Sequence, residues 1–438
     1  MRIRYLLYLV ASLFILLMTV SWSDAAWYSG WNYRKSHVIN AASGAGTNYQ
    51  VKITAHYGAG TDSEADVYLN NHSRTNFGDI RFTGSDGATL LDYWMESKTD
   101  SDNAVFWVEV ADDLSSTNQT IYIYYGKADA TTTSNVNNTF IRVIDGIQPV
   151  KLAYSMDENT GTITYDQSGN AHNGTLTSGA GWGAGKWGYG VTFDGTNDYV
   201  TAGAACVPAD AFSIIAWVNR TEQRYQNVVS QWSSGSSGRM EFYLTSDSKI
   251  ELAIGGVSRA TGATTVGTGW HQIIVTRTSG GAIKLYFDGS VDRSGDTCST
   301  SIVQVNTLIG TYGAGAYFKG TIDEVRVYNR VLTDAEVTDL YNNYGYVTTN
   351  LAGEELVRKR VGSEPAHGAW GGEVPQYSSY KTMVGTATDW AWKIVYSTDT
   401  VNKVPSGTPS DWTWRTWTPN SGRKVPQGTA DNWTWGAE

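Results

Sequence analysis

Period-two alternation of apolar and polar residues dominates the first third of the chain. Tyr49-Gln50-Val51-Lys52-Ile53, Val105-Phe106-Trp107-Val108-Glu109-Val110 and Ile121-Tyr122-Ile123-Tyr124-Tyr125 each send alternate side chains to one face, and Gly, Asp and Asn clusters separate the runs. Such a pattern predicts half-buried strands joined by tight turns. No stretch here holds a helical period. Residues 26–145 are therefore expected to form one small β-sandwich.

Alternation continues from residue 150 to residue 346. Val191-Thr192-Phe193-Asp194-Gly195, Phe212-Ser213-Ile214-Ile215-Ala216-Trp217-Val218 and Leu285-Tyr286-Phe287-Asp288-Gly289 are representative. Turn signals every eight to twelve residues, as these are, fit two packed antiparallel sheets. The Asp-Gly pairs at Asp194-Gly195 and Asp288-Gly289 supply the positive-φ geometry of hairpin turns. One short helix is expected near the end, from Thr333, an N-cap whose capping box Glu336 completes.

The last segment divides in two. Residues 347–380 read as a linker in which Glu354 to Arg360 form one or two helical turns. Residues 381–438 carry a repeat, Lys-x3-Gly-Thr-x3-Trp-x-Trp, starting at Lys381, Lys403 and Lys424. Trp-x-Trp puts two indoles on one face of a strand, so the repeats are expected to be small β-hairpins. Their tryptophans serve as hairpin cores, a glycan platform or a self-assembly surface.

Two resemblances rest on these residues. Trp31-Asn32-Tyr33-Arg34-Lys35, Phe77-Gly78-Asp79-Ile80-Arg81-Phe82-Thr83, Leu91-Asp92-Tyr93-Trp94 and Ile123-Tyr124-Tyr125-Gly126 follow in order. Together they resemble an uncharacterised domain family of microbial secreted proteins. Tyr154-Ser155-Met156-Asp157-Glu158-Asn159, Tyr165-Asp166-Gln167-Ser168-Gly169-Asn170, Val191 to Gly195, Phe212 to Val218 and Phe318 to Arg330 are similar in order and type to the laminin-G-like, concanavalin A-like jelly-roll family. The implied fold is all-β: two β-sandwiches, the second a concanavalin A-like jelly roll, and a Trp-rich β-repeat tail.

The N-terminus bears on compartment. Arg2 and Arg4 precede an apolar run from Tyr5 to Val20, and Ser23-Asp24-Ala25 offers small residues for cleavage. Residues 1–25 read as a secretory signal peptide, which predicts a secreted or cell-surface protein with no membrane span after cleavage. Cys206 and Cys298 are the only two cysteines. In an exported module they are expected to form a disulfide, two buried free thiols being the alternative. A net charge of −10 argues against nucleic acid as a partner, which needs clustered Lys and Arg.

Catalytic signals are absent. The six histidines are scattered, and no Gly-x-Ser-x-Gly elbow occurs. Retaining glycosidases on a concanavalin-like sandwich carry Glu-x-Asp-x-x-Glu on one strand. Gly320-Thr321-Ile322-Asp323-Glu324 departs from that pattern, and its adjacent acids should fall on opposite faces. The laminin-G-like resemblance implies instead a structural Ca²⁺ at the sheet rim, with Asp157, Asp166, Asn170 and Asp323 as matching ligands. The alternative is that these are turn residues, Asp323 bonding neighbouring amides. Sugar binding requires exposed aromatics beside planar polar groups. Tyr225, Trp232, Tyr312 and Tyr317, in polar or Gly-rich loops, are the candidates, edge packing being their other use. The expectation is a recognition or adhesion protein, not an enzyme, that binds a glycan or a cell-surface protein. A structural surface-layer or particle-decoration subunit that associates with itself is the alternative, ahead of a glycoside hydrolase.

Overall fold

The computed structural model describes residues 25–376, apart from 236 and 314, and beyond them only backbone strands between 378 and 437. The expected signal segment lies outside the described residues except for its last residue, Ala25. The first module is a sandwich of two sheets. One orders Asp66–Tyr68, Tyr49–His56, Asn103–Val110 and Tyr93–Thr99; the other orders Tyr33–Ile39, Gln119–Tyr125 and Arg81–Thr83. Alternate residues of the three quoted runs enter one core: Val51 and Ile53, Phe106, Val108 and Val110, Ile121, Ile123 and Tyr125.

The second module packs two eight-stranded antiparallel sheets around a larger core. Lys319–Tyr328 and Phe212–Arg220 pair at the centre of one sheet. Gln226–Gln231, Met240–Leu244 and Lys249–Ile254 are consecutive neighbours in the other. Asp288 and Gly289 take φ of 46° and 76° and join Ala282–Phe287 to Ser290–Thr297, as a type I′ hairpin requires. At Asp194-Gly195 only the glycine has positive φ. The strands flanking that turn, Tyr189–Asp194 and Tyr199–Thr201, lie in different sheets. It crosses the sandwich and does not close a hairpin. The helix Asp334–Asn342 carries the full Thr333/Glu336 capping box.

Residues 347–376 are not a free linker, and Glu355–Arg358 is a strand, not a helical turn. It lies between Tyr344–Val347 and Arg142–Ile144 in a three-stranded sheet joining the modules. Its side chains alternate between two cores. Leu356 packs with Trp94, Trp107 and Phe140 of the first module; Val357 packs with Ile215, Tyr286 and Tyr328 of the second. All four of its residues are buried, and that tertiary burial overrides the local helical propensity of Glu-Leu-Val-Arg. The chain then returns to the first module, where His367–Trp370 and Val374–Pro375 pair with Tyr33–Ile39. Farther on, the backbone pairs Ser378–Val384 with Ala391–Ser397, Asn402–Ser406 with Thr413–Trp417, and Lys424–Gln427 with Thr434–Ala437. Burial of the repeat tryptophans lies outside the described residues.

The expected disulfide is not formed: Cys206 and Cys298 are both free and buried. Each is seated by its own partners. The Cys206 amide donates to Thr307 Oγ1 at 2.8 Å, and the Cys298 carbonyl accepts from Arg277 Nε and Nη2 at 3.0 and 2.9 Å. Burial pushes the Cys206 thiol up to about 12, so it stays protonated and unreactive.

A strand shared by two cores makes the modules one stability unit. Leu356→Ala is expected to cost about 2–5 kcal/mol and to lower the urea midpoint of both modules together, followed by tryptophan fluorescence. Equal stability of residues 150–346 alone and within the full chain would contradict this coupling.

Candidate functional site

In the sheet that contains Gln226–Gln231, Met240–Leu244 and Lys249–Ile254, Met240, Phe242, Leu244, Ile250, Leu252 and Ile254 fill the core. The pleat therefore sends Glu241, Tyr243 and Glu251 to the opposite, outer face. Register aligns these positions across four strands: Asn227 opposite Tyr243, Tyr243 opposite Glu251, and Glu251 opposite Thr261.

These side chains form a continuous polar floor. Tyr225 Oη and Asn227 Nδ2 donate to Glu241 Oε2 at 2.7 and 3.3 Å. Tyr243 Oη donates to Glu251 Oε1, and Thr261 Oγ1 donates to Glu251 Oε2 at 2.7 Å. The two acids are only 7% and 8% exposed. Asn227 Oδ1 is buried on the same floor with no protein donor. Burial, reinforced by the carboxylate each one bonds, pushes the Tyr225 and Tyr243 hydroxyls well above the ordinary phenol range. Both therefore remain protonated donors to the acids.

Aromatic rings stand over this floor. Tyr225 is 39% exposed and meets Tyr243 edge-on at 4.7 Å between centroids. Trp232 and Tyr312 lie 5.2 Å apart, tilted by 44°. Tyr312 comes from the loop after Thr307–Ile309, which folds back because Gly310 adopts φ of 85°. A Cβ there would meet the Phe193 ring at 2.7 Å, so only glycine fits. Ser230 Oγ donates to Thr311 O at 2.7 Å, and the Asn227 amide donates to Ala316 O at 2.8 Å, tying the loop to the sheet. Three of the four aromatics expected from the sequence, Tyr225, Trp232 and Tyr312, thus rim one face; Tyr317 sits half-buried in the same loop. The floor residues Asn227, Glu241, Tyr243 and Glu251 were not anticipated. Their signal is present in Met240-Glu241-Phe242-Tyr243-Leu244, where polar positions alternate with core positions.

The four expected calcium ligands do not converge. Asp166 accepts from the Ala153, Ser168 and His172 amides and from Ser168 Oγ. Asn170 Nδ2 donates to Val150 O, Lys151 O and Ser168 Oγ. Both organise their own loop. Asp157 Oδ1 accepts from the Tyr189 amide at 2.8 Å, and Asp323 accepts from the Lys186, Trp187 and Glu324 amides at 2.8, 3.2 and 2.8 Å. This second pair pins the 185–189 turn. Among the described residues no three His, Cys, Asp or Glu side chains gather as a metal site.

Asp323 and Glu324 also depart from expectation by sharing one face. Glu324 takes φ of 53° at an irregularity opposite Ile215/Trp217, and this bulge inserts an extra residue into the strand. Ile322 and Val325 point into the core, while Asp323 lies opposite the outward Trp217 and Glu324 lines a cleft with Trp187, Trp217 and Gln272. Each of the two is already engaged by the protein. Asp323 is engaged by backbone amides, and Glu324 Oε2 is bonded to Arg326 Nη2. Burial, then the neighbouring Glu324 charge, pushes the Asp323 carboxyl well above the ordinary carboxylate range.

Comparison with known proteins bears on the fold. Residues 194–338 match the family described as the concanavalin A-like lectin/glucanases superfamily, and residues 76–157 match a domain family of unknown function. No curated protein matches the chain. Among solved structures, domain 4 of AbnA, an extracellular arabinanase from Geobacillus stearothermophilus, in complex with arabinotriose, is 22% identical with a TM-score of 0.39, over 44% of this chain and 98% of that one. The receptor binding domain of a botulinum neurotoxin C/D mosaic serotype is 12% identical with a TM-score of 0.36, over 45% and 53%. A SAP-like pentraxin from Limulus polyphemus is 14% identical with a TM-score of 0.30, over 42% and 92%.

The bonding of Asp323 makes it a structural anchor. Asp323→Ala leaves three amides unpaired and is expected to cost roughly 3 kcal/mol, equally in millimolar calcium and in chelator. A loss seen by thermal denaturation only when calcium is present would make it a ligand after all.

Proposed function

We propose that this chain, whose second module is a laminin-G-like jelly roll, is an extracellular recognition protein that binds carbohydrate on the face rimmed by Tyr225, Trp232 and Tyr312. The observation that carries this reading is the pairing of half-exposed rings with a planar polar floor on one sheet face. The CH faces of a pyranose stack on such rings, and carboxylates and amides take its hydroxyls. The matched superfamily includes lectins, and the apolar run behind Arg2 and Arg4 supports export.

Binding without hydrolysis is supported by the state of the acids. Glu241 and Glu251 each accept from a protonated tyrosine and a second neutral donor. Each is held as a hydrogen-bond acceptor by the sheet itself, and general acid catalysis needs a carboxyl that gives up a proton to the substrate. In this reading the first module holds the jelly roll in a fixed pose through the shared strand Glu355–Arg358.

Titration of the purified full chain against a glycan array, followed by calorimetry on the saccharides retained, tests the reading. Trp232→Ala is expected to weaken binding about tenfold or more without moving the melting temperature. Absence of binding to every saccharide on the array would overturn the proposal.

A further inference from the structure

The charge of the floor says which saccharides fit. Glu241 and Glu251 are two carboxylates on neighbouring strands of one face, and every hydrogen bond they accept comes from a neutral donor: Tyr225, Asn227, Tyr243 and Thr261. Among the described residues no salt bridge reaches either acid. The other buried glutamates each face a cation: Glu96 faces Lys52 at 3.0 Å, Glu324 and Glu355 share Arg326, and Glu336 faces Arg330 at 2.6 Å. Two uncompensated charges in a largely desolvated position are costly to keep, and nothing in the packing of this sheet requires them, since the core side is complete without them. The floor's unsatisfied group has the same polarity. Asn227 Oδ1 is fully buried, accepts from no protein donor, and shares its side chain with the amide that holds Glu241. Glu241 directs both its protein hydrogen bonds to Oε2, leaving Oε1 without one.

The face thus offers acceptors and the charge of two acids beside aromatic rings, while cations of the same strands, Lys249 and Arg259, are bonded to the Ala263 and Ile254 carbonyls. A ligand that supplies donors and positive charge satisfies the open Oε1 of Glu241. A ligand carrying carboxylate or sulfate brings like charge into a site of low dielectric, where repulsion is weakly screened. Aromatic faces also attract an ammonium through their quadrupole.

Resting on the carbohydrate-binding reading, we infer that this face is selective by charge. It binds amino sugars with a free ammonium most tightly, neutral saccharides next, and excludes uronate, sialylated and sulfated saccharides. The selectivity resides in Glu241 and Glu251, and stacking on Trp232, Tyr312 and Tyr225 is common to all ligands.

The test uses the full chain and a matched β-1,4 series that differs only in charge, a glucosamine tetramer, cellotetraose and a cellouronic acid tetramer, alongside an array with neutral, amino and acidic glycans. Affinities are measured by calorimetry at low ionic strength and at a pH where the amines are protonated. The glucosamine tetramer is expected to bind at least tenfold more tightly than cellotetraose, with no detectable uronate binding, and the ratio should shrink as salt is raised. Glu241→Gln and Glu251→Gln keep the shape and the tyrosine hydrogen bonds. Each should bring the amino-sugar and neutral affinities together, the readout being their ratio and not the absolute affinity for cellotetraose. Acidic saccharides bound as well as neutral ones, or a preference unchanged in both glutamine variants, would overturn the selectivity and leave carbohydrate binding standing. Failure of every member of the series and of the array would overturn the binding reading itself.

Discussion

Residues Glu355 to Arg358 belong to two hydrophobic cores at once, and the arrangement of the whole chain depends on it. Leu356 closes the Trp94, Trp107 and Phe140 cluster of the first module, and Val357 closes the Tyr286, Tyr328 and Leu332 cluster of the second. The polar side of the junction is equally joined. Glu355 accepts from Tyr328 and faces Arg326 at 3.5 Å, while Glu96 of the first module accepts from Tyr346 and Thr348 at 2.7 Å each. Exposing the apolar pair and leaving these buried charges unpartnered is unfavourable, so the two sandwiches are held as one body. From there the chain completes the first module's sheet through His367–Trp370.

That rigidity matters because the candidate face is built from non-local pieces. Its floor comes from four adjacent strands, and its rim from the turn that carries Tyr225, the segment after Gln231, and the loop after Gly310. Hydrogen bonds from Ser230 and Asn227 fix the loop to the sheet. A preorganised platform loses little entropy when a saccharide is ordered on it. The same construction keeps Tyr225 and Tyr243 protonated, so that each donates to its acid and brings no positive charge to it.

Much of the fold was legible in alternation, since alternate apolar positions of the quoted runs fill the cores, although Gln50 and Ser213 are buried with them. Three features were not legible, each for a physical reason. Glu355 to Arg358 reads as helix because Glu355, Leu356 and Arg358 are good helix formers, and burial on both faces makes it a strand. Asp323 and Glu324 read as opposed because adjacent strand residues alternate, and no glycine marks the left-handed Glu324 that breaks the alternation. Glu241 and Glu251 are visible as polar positions within apolar strands, but their union with Tyr225 and Asn227 depends on cross-strand register, which a single sequence does not state. Tyr225, Trp232 and Tyr312 were legible only as large rings in polar or Gly-rich loops, and their gathering on one face depends on loop geometry such as the turn at Gly310.

Hydrogen–deuterium exchange of the full chain with and without a bound saccharide tests the central claim most directly, because it reports where contact occurs. The account predicts added protection in Gln226–Gln231, Met240–Leu244 and the 311–318 loop, with the 185–189 turn and the first module unchanged. Protection confined to the 185–189 turn or to the first module would contradict it.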